Sequence, residues 1–378
     1  MRLFHISDLH LGKRIHEFSM IEEQVYILDK ILEKIRVDKP DALLISGDIY
    51  DKPIPPVEAI ELLNDFLTKL AQMELSVYLI AGNHDSAQRL DFAHSLLEEN
   101  KVYISGVYRT TPKQVVQTDA FGEVVFTLMP FIKPAMVSSA FGLDKTLSYE
   151  EGMQYAIAQL HLDTDKRNIL LAHQFVTWKG TAERSDSETY HIGGVDEIDA
   201  SVFDGFDYVA LGHLHAPQRI GRDSIRYSGS PLAYSFSEIH QKKGITIVEL
   251  GEKGKLQLDF FPLAPRRKMR EIKGPLKGLV EAGKEEGGSL DYIRAIITDE
   301  ALTIDPVGQL RTVYPNLMTL EFERKNTTTS EGVENIAKDF VPQDMFDVFF
   351  EKQTQKKMDE EQNQLIHAIW KKLGGEEA

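Results

Sequence analysis

Ala42-Leu43-Leu44-Ile45-Ser46-Gly47-Asp48 is a near-continuous apolar run that stops at a small residue and then presents a carboxylate. Such a run, short and without alternation, is expected of a strand covered on both faces. The same grammar recurs on either side. Leu3–Ser7 ends in Asp8-Leu9-His10, Val77–Ala81 in Gly82-Asn83-His84-Asp85, 168–172 in His173, and Tyr208–Leu211 in Gly212-His213-Leu214-His215. Between the first three runs lie Ile21, Val25, Leu28, Leu32 and Ile35, then Val57, Ile60, Leu63, Leu67 and Leu70, each set at helical spacing. The order β-α-β-α-β predicts a layered α/β domain. In such sheets functional groups gather at the carboxyl ends of the strands, so the five endings are expected to converge on one rim.

The bulk numbers set limits on the rest. A chain of 378 residues exceeds what one core holds, and its 42% hydrophobic content is that of a folded globular protein. No apolar run reaches bilayer-spanning length, so no membrane segment is expected. The start, Met1-Arg2-Leu3-Phe4, reads as a strand and not as a secretory leader, and the absence of Cys excludes disulfides and thiolate metal sites. A cytoplasmic protein is the expectation. The net charge of −16 repels nucleic acid at long range, so any action on DNA requires bound cations, local basic patches or a basic partner.

Beyond residue 216 the pattern becomes strand-rich. Arg226–Ser228 leads into Gly229-Ser230-Pro231, and Gly244–Leu250 and Leu256–Phe261 follow, read here as a second sheet closing the same domain. Pro262, Pro265 and the basic cluster Arg266, Arg267, Lys268, Arg270 mark a boundary. The expected organisation is a main domain over 1–265 and a small α/β unit over 266–325 with strands near Met269–Ile272, Tyr292–Ile297 and Leu317–Phe322. A linker and helical tail over 326–378 complete it, the tail carrying an apolar stripe of Phe346, Phe349 and Phe350.

The endings supply more ligands than one ion can use. Asp8 and His10 are two apart, so in extended backbone both leave one face and can grip one cation. Asp48 adds a carboxylate able to bridge two ions, Asn83 a neutral oxygen, and His173, His213 and His215 nitrogens. A mixed nitrogen and oxygen set without sulfur favours Mn²⁺, Fe²⁺ or Zn²⁺ over Ca²⁺ or Mg²⁺. Two such ions would suit in-line phosphoester hydrolysis. His84 follows a proposed ligand and cannot easily share its direction, so it is better placed as a general acid or transition-state stabiliser, with Asp85 orienting its ring.

These blocks, in this order, resemble the calcineurin-like metallophosphoesterase superfamily. Ile6-Ser7-Asp8-Leu9-His10-Leu11-Gly12, Tyr227-Ser228-Gly229-Ser230-Pro231, Ile297-Thr298-Asp299-Glu300 and Tyr314-Pro315-Asn316 narrow the resemblance to its double-strand-break repair nucleases. The resemblance implies a two-sheet sandwich flanked by helices, with a small α/β capping domain that serves DNA. It implies that Asp8, His10 and His215 hold one Mn²⁺, that Asn83, His173 and His213 hold the other, that Asp48 bridges them, and that His84 is catalytic. One departure is visible: where archaeal members carry a second histidine shortly after the bridging Asp, this chain has Asp51.

The implied activity is 3′–5′ exonuclease on duplex ends and endonuclease on single strands or hairpins, in DNA repair and recombination. The implied partner is an SbcC-type ATPase with a long coiled coil, docked on the stripe Phe346, Phe349, Phe350, within a heterotetramer built on a homodimer. Lys13, Arg14, Ser230 and Tyr234 are the candidates for DNA contacts. Two rival readings use the same residues: a phosphatase or cyclic-nucleotide phosphodiesterase, which would not need residues 269–378, and a scaffold protein whose metals are architectural.

Overall fold

Leu3, Leu44 and Tyr78 point to one side of their sheet while Phe4, Leu43 and Val77 point to the other, the two-residue alternation of a strand buried on both faces. The computed structural model describes residues 1–160, 162–188, 196–299 and 304–323, together with 350, 357–360, 362, 363, 365 and 366. Its first sheet has six strands in the order Leu256–Pro262, Gly244–Leu250, Arg2–Ile6, Ala42–Ser46, Ser76–Ile80 and Val102–Ser105. The second runs Gln218–Ile220, Arg222–Tyr227, Tyr208–Gly212, Arg167–His173, Gly122–Met129 and Lys113–Asp119.

The inner faces meet in one apolar layer that joins Leu3, Leu44 and Tyr78 to Phe126, Ile169, Leu171 and Ala210. Helices Ile21–Asp38 and Val57–Gln72 cover the outer face of the first sheet. Pro134–Phe141 and Tyr149–Ala158 cover that of the second. Four layers result, helix on sheet on sheet on helix. Among the described residues no helix is long and apolar enough to cross a membrane.

Two expectations need correction. Gly244–Leu250 and Leu256–Pro262 do not build a second sheet; they extend the first one, with Arg2 to His5 pairing antiparallel against Thr246 to Glu249. The second sheet instead takes the strands of His173 and Gly212 and adds the hairpin Lys113–Met129, a pair not foreseen. The helix Val57–Gln72 also turns differently from its expected stripe. Ala59, Leu63, Phe66, Leu67 and Leu70 face the core, whereas Val57 and Ile60 are exposed.

Met269–Gly274, Tyr292–Ile297 and Leu317–Phe322 form a separate parallel three-stranded sheet with helices Leu276–Glu285 and Pro306–Arg311 and a core of its own around Ile293, Ala295 and Leu310. Arg267 fastens this unit to the main body through Glu23 at 2.8 Å and Glu22 at 3.1 Å. Phe346 and Phe349 lie outside the described residues, as does the linker 326–331; Phe350 is helical.

Candidate metal centre

The five endings do converge, and the small residues explain how. A Cβ at Gly212 would stand 1.9 Å from the Ser46 carbonyl oxygen, and one at Gly82 would stand 2.1 Å from Asp48 Oδ1. Glycine lets the rims of the two sheets meet at Gly212 and lets neighbouring endings of the first sheet meet at Gly82. The chain then turns through the left-handed region at Asp8 (φ 54°), His10 (φ 45°) and Asp48 (φ 49°). With His213 (φ 113°), four non-glycine residues at positive φ within one rim are strain held in place by the surrounding structure, a signature of functional sites. Backbone bonds from Asp8 N to Gly47 O and from His10 N to Asp48 O, each 3.0 Å, lock the first two endings together.

Donor atoms of Asp8, His10 and His215 lie within 4.8 Å of one another, as do those of Asp8, Asp48 and His173, and those of His10, Asp48 and His84. Asn83 Oδ1 stands 3.0 Å from His173 Nε2 and 3.0 Å from His213 Nδ1. Asp48 sits between the groups, its Oδ2 3.7 Å from His10 Nε2 and 3.4 Å from His173 Nε2.

The hydrogen-bond pattern around these rings fits cations. Ser187 gives its hydroxyl proton to Glu238, so its oxygen accepts from His215 Nδ1 at 2.8 Å, leaving His215 Nε2 with a bare lone pair. That lone pair faces His10 Nε2 at 3.1 Å. In the same way His173 donates Nδ1–H to the Ser46 carbonyl at 2.8 Å, so its Nε2 lone pair faces the Asn83 oxygen. Electron pairs aimed at each other in a buried site repel unless a proton or a metal lies between them.

Electrostatics point the same way. Burial pushes His10 down to about 4 and His213 down to about 3. For His173 burial also opposes charge, but the Asp48 carboxylate outweighs it and raises the ring to about 9. His173 in turn is foremost in holding Asp48 well below the usual carboxylate range, against its burial. Without metal, a proton on His173 does part of a cation's work.

His84 stands apart. Its Nδ1 donates to the Asp51 carbonyl at 2.9 Å, and its partly exposed ring presents Nε2 4.0 Å from Asp48 Oδ2. Asp85 does not orient that ring. Its carboxylate accepts from the backbone N–H groups of Ile49, Tyr50 and Gly82 at 3.0, 2.9 and 2.8 Å, pinning two strand ends to each other. Burial, with Asp48 nearby, raises Asp85 to about 6.

Two expected DNA contacts are likewise spent internally. Ser230 is buried and donates to the Leu232 carbonyl at 2.8 Å. Tyr234 is buried, donates to the Leu9 carbonyl, and packs its ring 5.6 Å from that of His10. Lys13 and Arg14 do line an open cleft of about 400 Å³ with His16, Ser187 and Arg294, between the main body and the small sheet.

The chain from residue 1 to 217 matches the family described as calcineurin-like phosphoesterase. Residues 265–354 match a second family, the type 5 capsule protein repressor C-terminal domain. A Staphylococcus saprophyticus protein, named as the SbcD component of nuclease SbcCD, is 33% identical over 89% of this chain and 88% of its own length. The chain belongs to the SbcD family of calcineurin-like phosphoesterases. The Staphylococcus epidermidis SbcD protein, which carries the same name, is 33% identical over 85% of each chain. A dimetal phosphatase from Danio rerio superposes with a TM-score of 0.43 at 12% identity, covering 69% of this chain and 96% of that one. As an SbcD family member the chain is a metal-dependent phosphodiesterase, and its clustered Asp and His donors form three groups able to hold a metal ion.

Several residues around the SbcD-type centre escape sequence reasoning. Glu238, wholly buried, lies 3.3 Å from His215 Nδ1 and accepts from Lys243 at 2.6 Å. Glu188 Oε1 accepts from the His215 backbone N–H at 2.6 Å. Asp51, singled out in the sequence, has Oδ1 2.7 Å from Lys13 Nζ and 3.6 Å from His10 Nδ1. The one local signal was the hydroxyl-rich stretch ending in Glu238, which reads as turn chemistry until its partner is known.

Proposed function

We propose that this chain is the nuclease component of an ATP-regulated SbcCD complex in DNA repair and recombination, hydrolysing DNA phosphodiester bonds with two Mn²⁺ ions. The activity is 3′–5′ exonuclease on duplex ends and endonuclease on single strands or hairpins. Asp8, His10 and His215 would hold one ion and Asn83, His173 and His213 the other, with Asp48 standing between the two sets. Two bound divalent cations would offset the charge on the phosphate and lower the pKa of the attacking water.

His84 supplies the proton. With Nδ1–H committed to the Asp51 carbonyl, Nε2 is the nitrogen on the open side of the centre. As water adds to phosphorus, the bond to the leaving sugar oxygen breaks and His84 Nε2 gives that oxygen its proton, while the proton of the water passes to solvent. Asp85 acts through the backbone, by keeping the endings after Ser46 and Ile80 in register.

The observation that carries this reading is the anchoring of His84, whose Nδ1 is bonded to the Asp51 carbonyl while Nε2 faces the donor cluster. Its test is His84→Gln. Metal content is expected to be unchanged while cleavage of DNA in Mn²⁺ falls by about 10²–10⁴-fold, the range for a lost general acid. Cleavage at the wild-type rate would remove the assignment.

DNA contacts are assigned to Lys13, Arg14 and Arg294 in the cleft beside the centre. The neighbourhood is continuous: Ser187 lines the cleft and bonds His215, and Lys13 lines it and pairs with Asp51. Phosphate contacts of this kind position a duplex without reading its sequence. The partner is the coiled-coil ATPase SbcC, bound by the C-terminal tail, in a cytoplasmic heterotetramer. The homodimer reading draws support from Val57 and Ile60, exposed on their helix, and from Phe92 and Leu96, exposed after the third strand.

A further inference from the structure

We infer that the two halves of the centre bind their ions unequally: the Asp8, His10 and His215 half takes Mn²⁺ first and tightly, and the Asn83, His173 and His213 half takes the second ion weakly and exchangeably. This rests on the ligand assignment proposed above.

The first difference is charge. On the assignment above Asp8 is a buried carboxylate given to one half, although its donor atoms also cluster with those of Asp48 and His173, whereas the corresponding oxygen of the other half is the neutral amide of Asn83. Asp48 is shared and does not discriminate. Affinity for a divalent ion rises with the number of charged ligands, because each adds an attraction that burial leaves poorly screened.

The second difference lies behind the rings. In the first half His215 has a carboxylate at Nδ1, Glu238 at 3.3 Å, relayed also through Ser187, whereas His10 Nδ1 makes no hydrogen bond and only stands 3.6 Å from Asp51. In the second half His173 is backed by a backbone carbonyl, that of Ser46. For His213 the side-chain bond runs to Asn83, inside the centre. A carboxylate behind a ligating imidazole fixes its tautomer and makes its free nitrogen more basic than a carbonyl does.

Two cations temper this advantage. Lys243 pairs with Glu238 at 2.6 Å and Lys13 with Asp51 at 2.7 Å, so the outer carboxylates bring little net charge. They keep their orienting role, since Lys243 also donates to the His215 carbonyl at 2.8 Å and to Ser230 at 2.9 Å, bracing the segment that carries the ring. Glu238 is therefore a positioning residue for one ion only.

The third difference is access. Asn83 and His213 line a cavity of about 190 Å³ walled by Phe131, Tyr149 and Phe175 and open beside the exposed Lys133. His10 and His215 are at most 1% exposed and are roofed by Tyr234; His173 is as deeply buried, so the opening is at His213, 7% exposed, and Asn83. The weaker half is also the half with an opening through which an ion can come and go.

The test is titration of the metal-stripped full chain with Mn²⁺, followed by calorimetry and by the paramagnetic signal of free Mn²⁺. Two steps of one ion each are expected, separated by at least about 10-fold in affinity. Glu238→Gln should weaken the tighter step by roughly 10- to 100-fold and leave the weaker one in place. Asn83→Asp adds a carboxylate to the other half and should narrow the separation. Two indistinguishable steps in the natural protein would overturn the inference while leaving the dimetal reading standing, and fewer than two ions per chain would overturn that reading itself. A Glu238→Gln protein that weakens both steps alike and melts earlier would reduce Glu238 to a structural residue. Should that variant fail to fold, the natural step separation and Asn83→Asp still decide.

Discussion

Asp8, His10, Asp48, His173 and His215 on the rim are each at most 2% exposed, whereas in the neighbouring cleft Arg14 is exposed and the Arg294 side chain is 32% exposed. The rim gains its order from burial: backbone bonds between endings, glycines at the points of closest approach, and imidazoles fixed by one nitrogen. The cleft has charge without that order. Lys13 is tied to Asp51, and Arg294 is shared between Glu271 at 3.5 Å and Glu321 at 2.8 Å. Chemistry and grip are thus separated. Substitutions at the rim should act as switches, and substitutions in the cleft should be graded and salt-dependent.

The largest effect is expected at Asp48, where the halves of the rim meet. Asp48→Asn removes the shared charge, so both ions should weaken and cleavage should fall by at least the ~10⁴-fold upper range of a lost general acid. Metal analysis together with a nuclease assay checks this. A variant that keeps both ions and cuts DNA would break the distinction between rim and cleft.

Asp85→Ala comes next, and it acts on stability. Three backbone N–H groups lose their acceptor, which costs about 2–4 kcal/mol when such groups stay buried. Chemical denaturation of the metal-free variant should show this loss; a drop in activity with unchanged stability would instead return Asp85 to the reacting groups.

A smaller effect follows from His173. Its folded value, about 9, lies above the ordinary 6.5, so its pairing with Asp48 stabilises the metal-free fold fully below pH 6.5 and is lost as pH rises towards 9. Melting temperature in chelator should fall across that window. Mn²⁺ affinity should rise across it, because the ion must displace the proton. A melting temperature that rises instead would contradict the His173–Asp48 pair.

The smallest change belongs to the cleft. Arg294→Ala should weaken DNA binding about 3- to 10-fold, reduce the salt dependence by about one phosphate contact, and leave hydrolysis of a small phosphodiester untouched. Loss of small-substrate hydrolysis would mean that the cleft is part of the rim.

Much of the rim was legible because its grammar is local. A covered strand is apolar throughout, the residue that lets two sheets touch is glycine, and the ligand follows at once, so Gly47-Asp48 and Gly212-His213 announce themselves. Which strands share a sheet is not local. Gly244–Leu250 joins Arg2–Ile6 from across the chain, and Lys113–Asp119 alternates half-buried and exposed positions as an edge strand whose Lys, Gln and Asp hide its pairing. The supporting residues were illegible for the same reason. Glu238 reaches His215 across 23 residues, and Glu188 reaches it across 27. Ser230 and Tyr234 misled in the opposite direction, since hydroxyls in a turn look available until burial commits them to the Leu232 and Leu9 carbonyls.

The most direct test of the rim as one dimetal centre is anomalous diffraction at the manganese edge from crystals soaked in Mn²⁺. Two peaks are predicted, one bounded by Asp8, His10 and His215 and the other by Asn83, His173 and His213, with Asp48 between them and His84 outside both. A peak held by His10, Asp48 and His84, a grouping that the distances also permit, would make His84 a ligand and contradict its role as the acid.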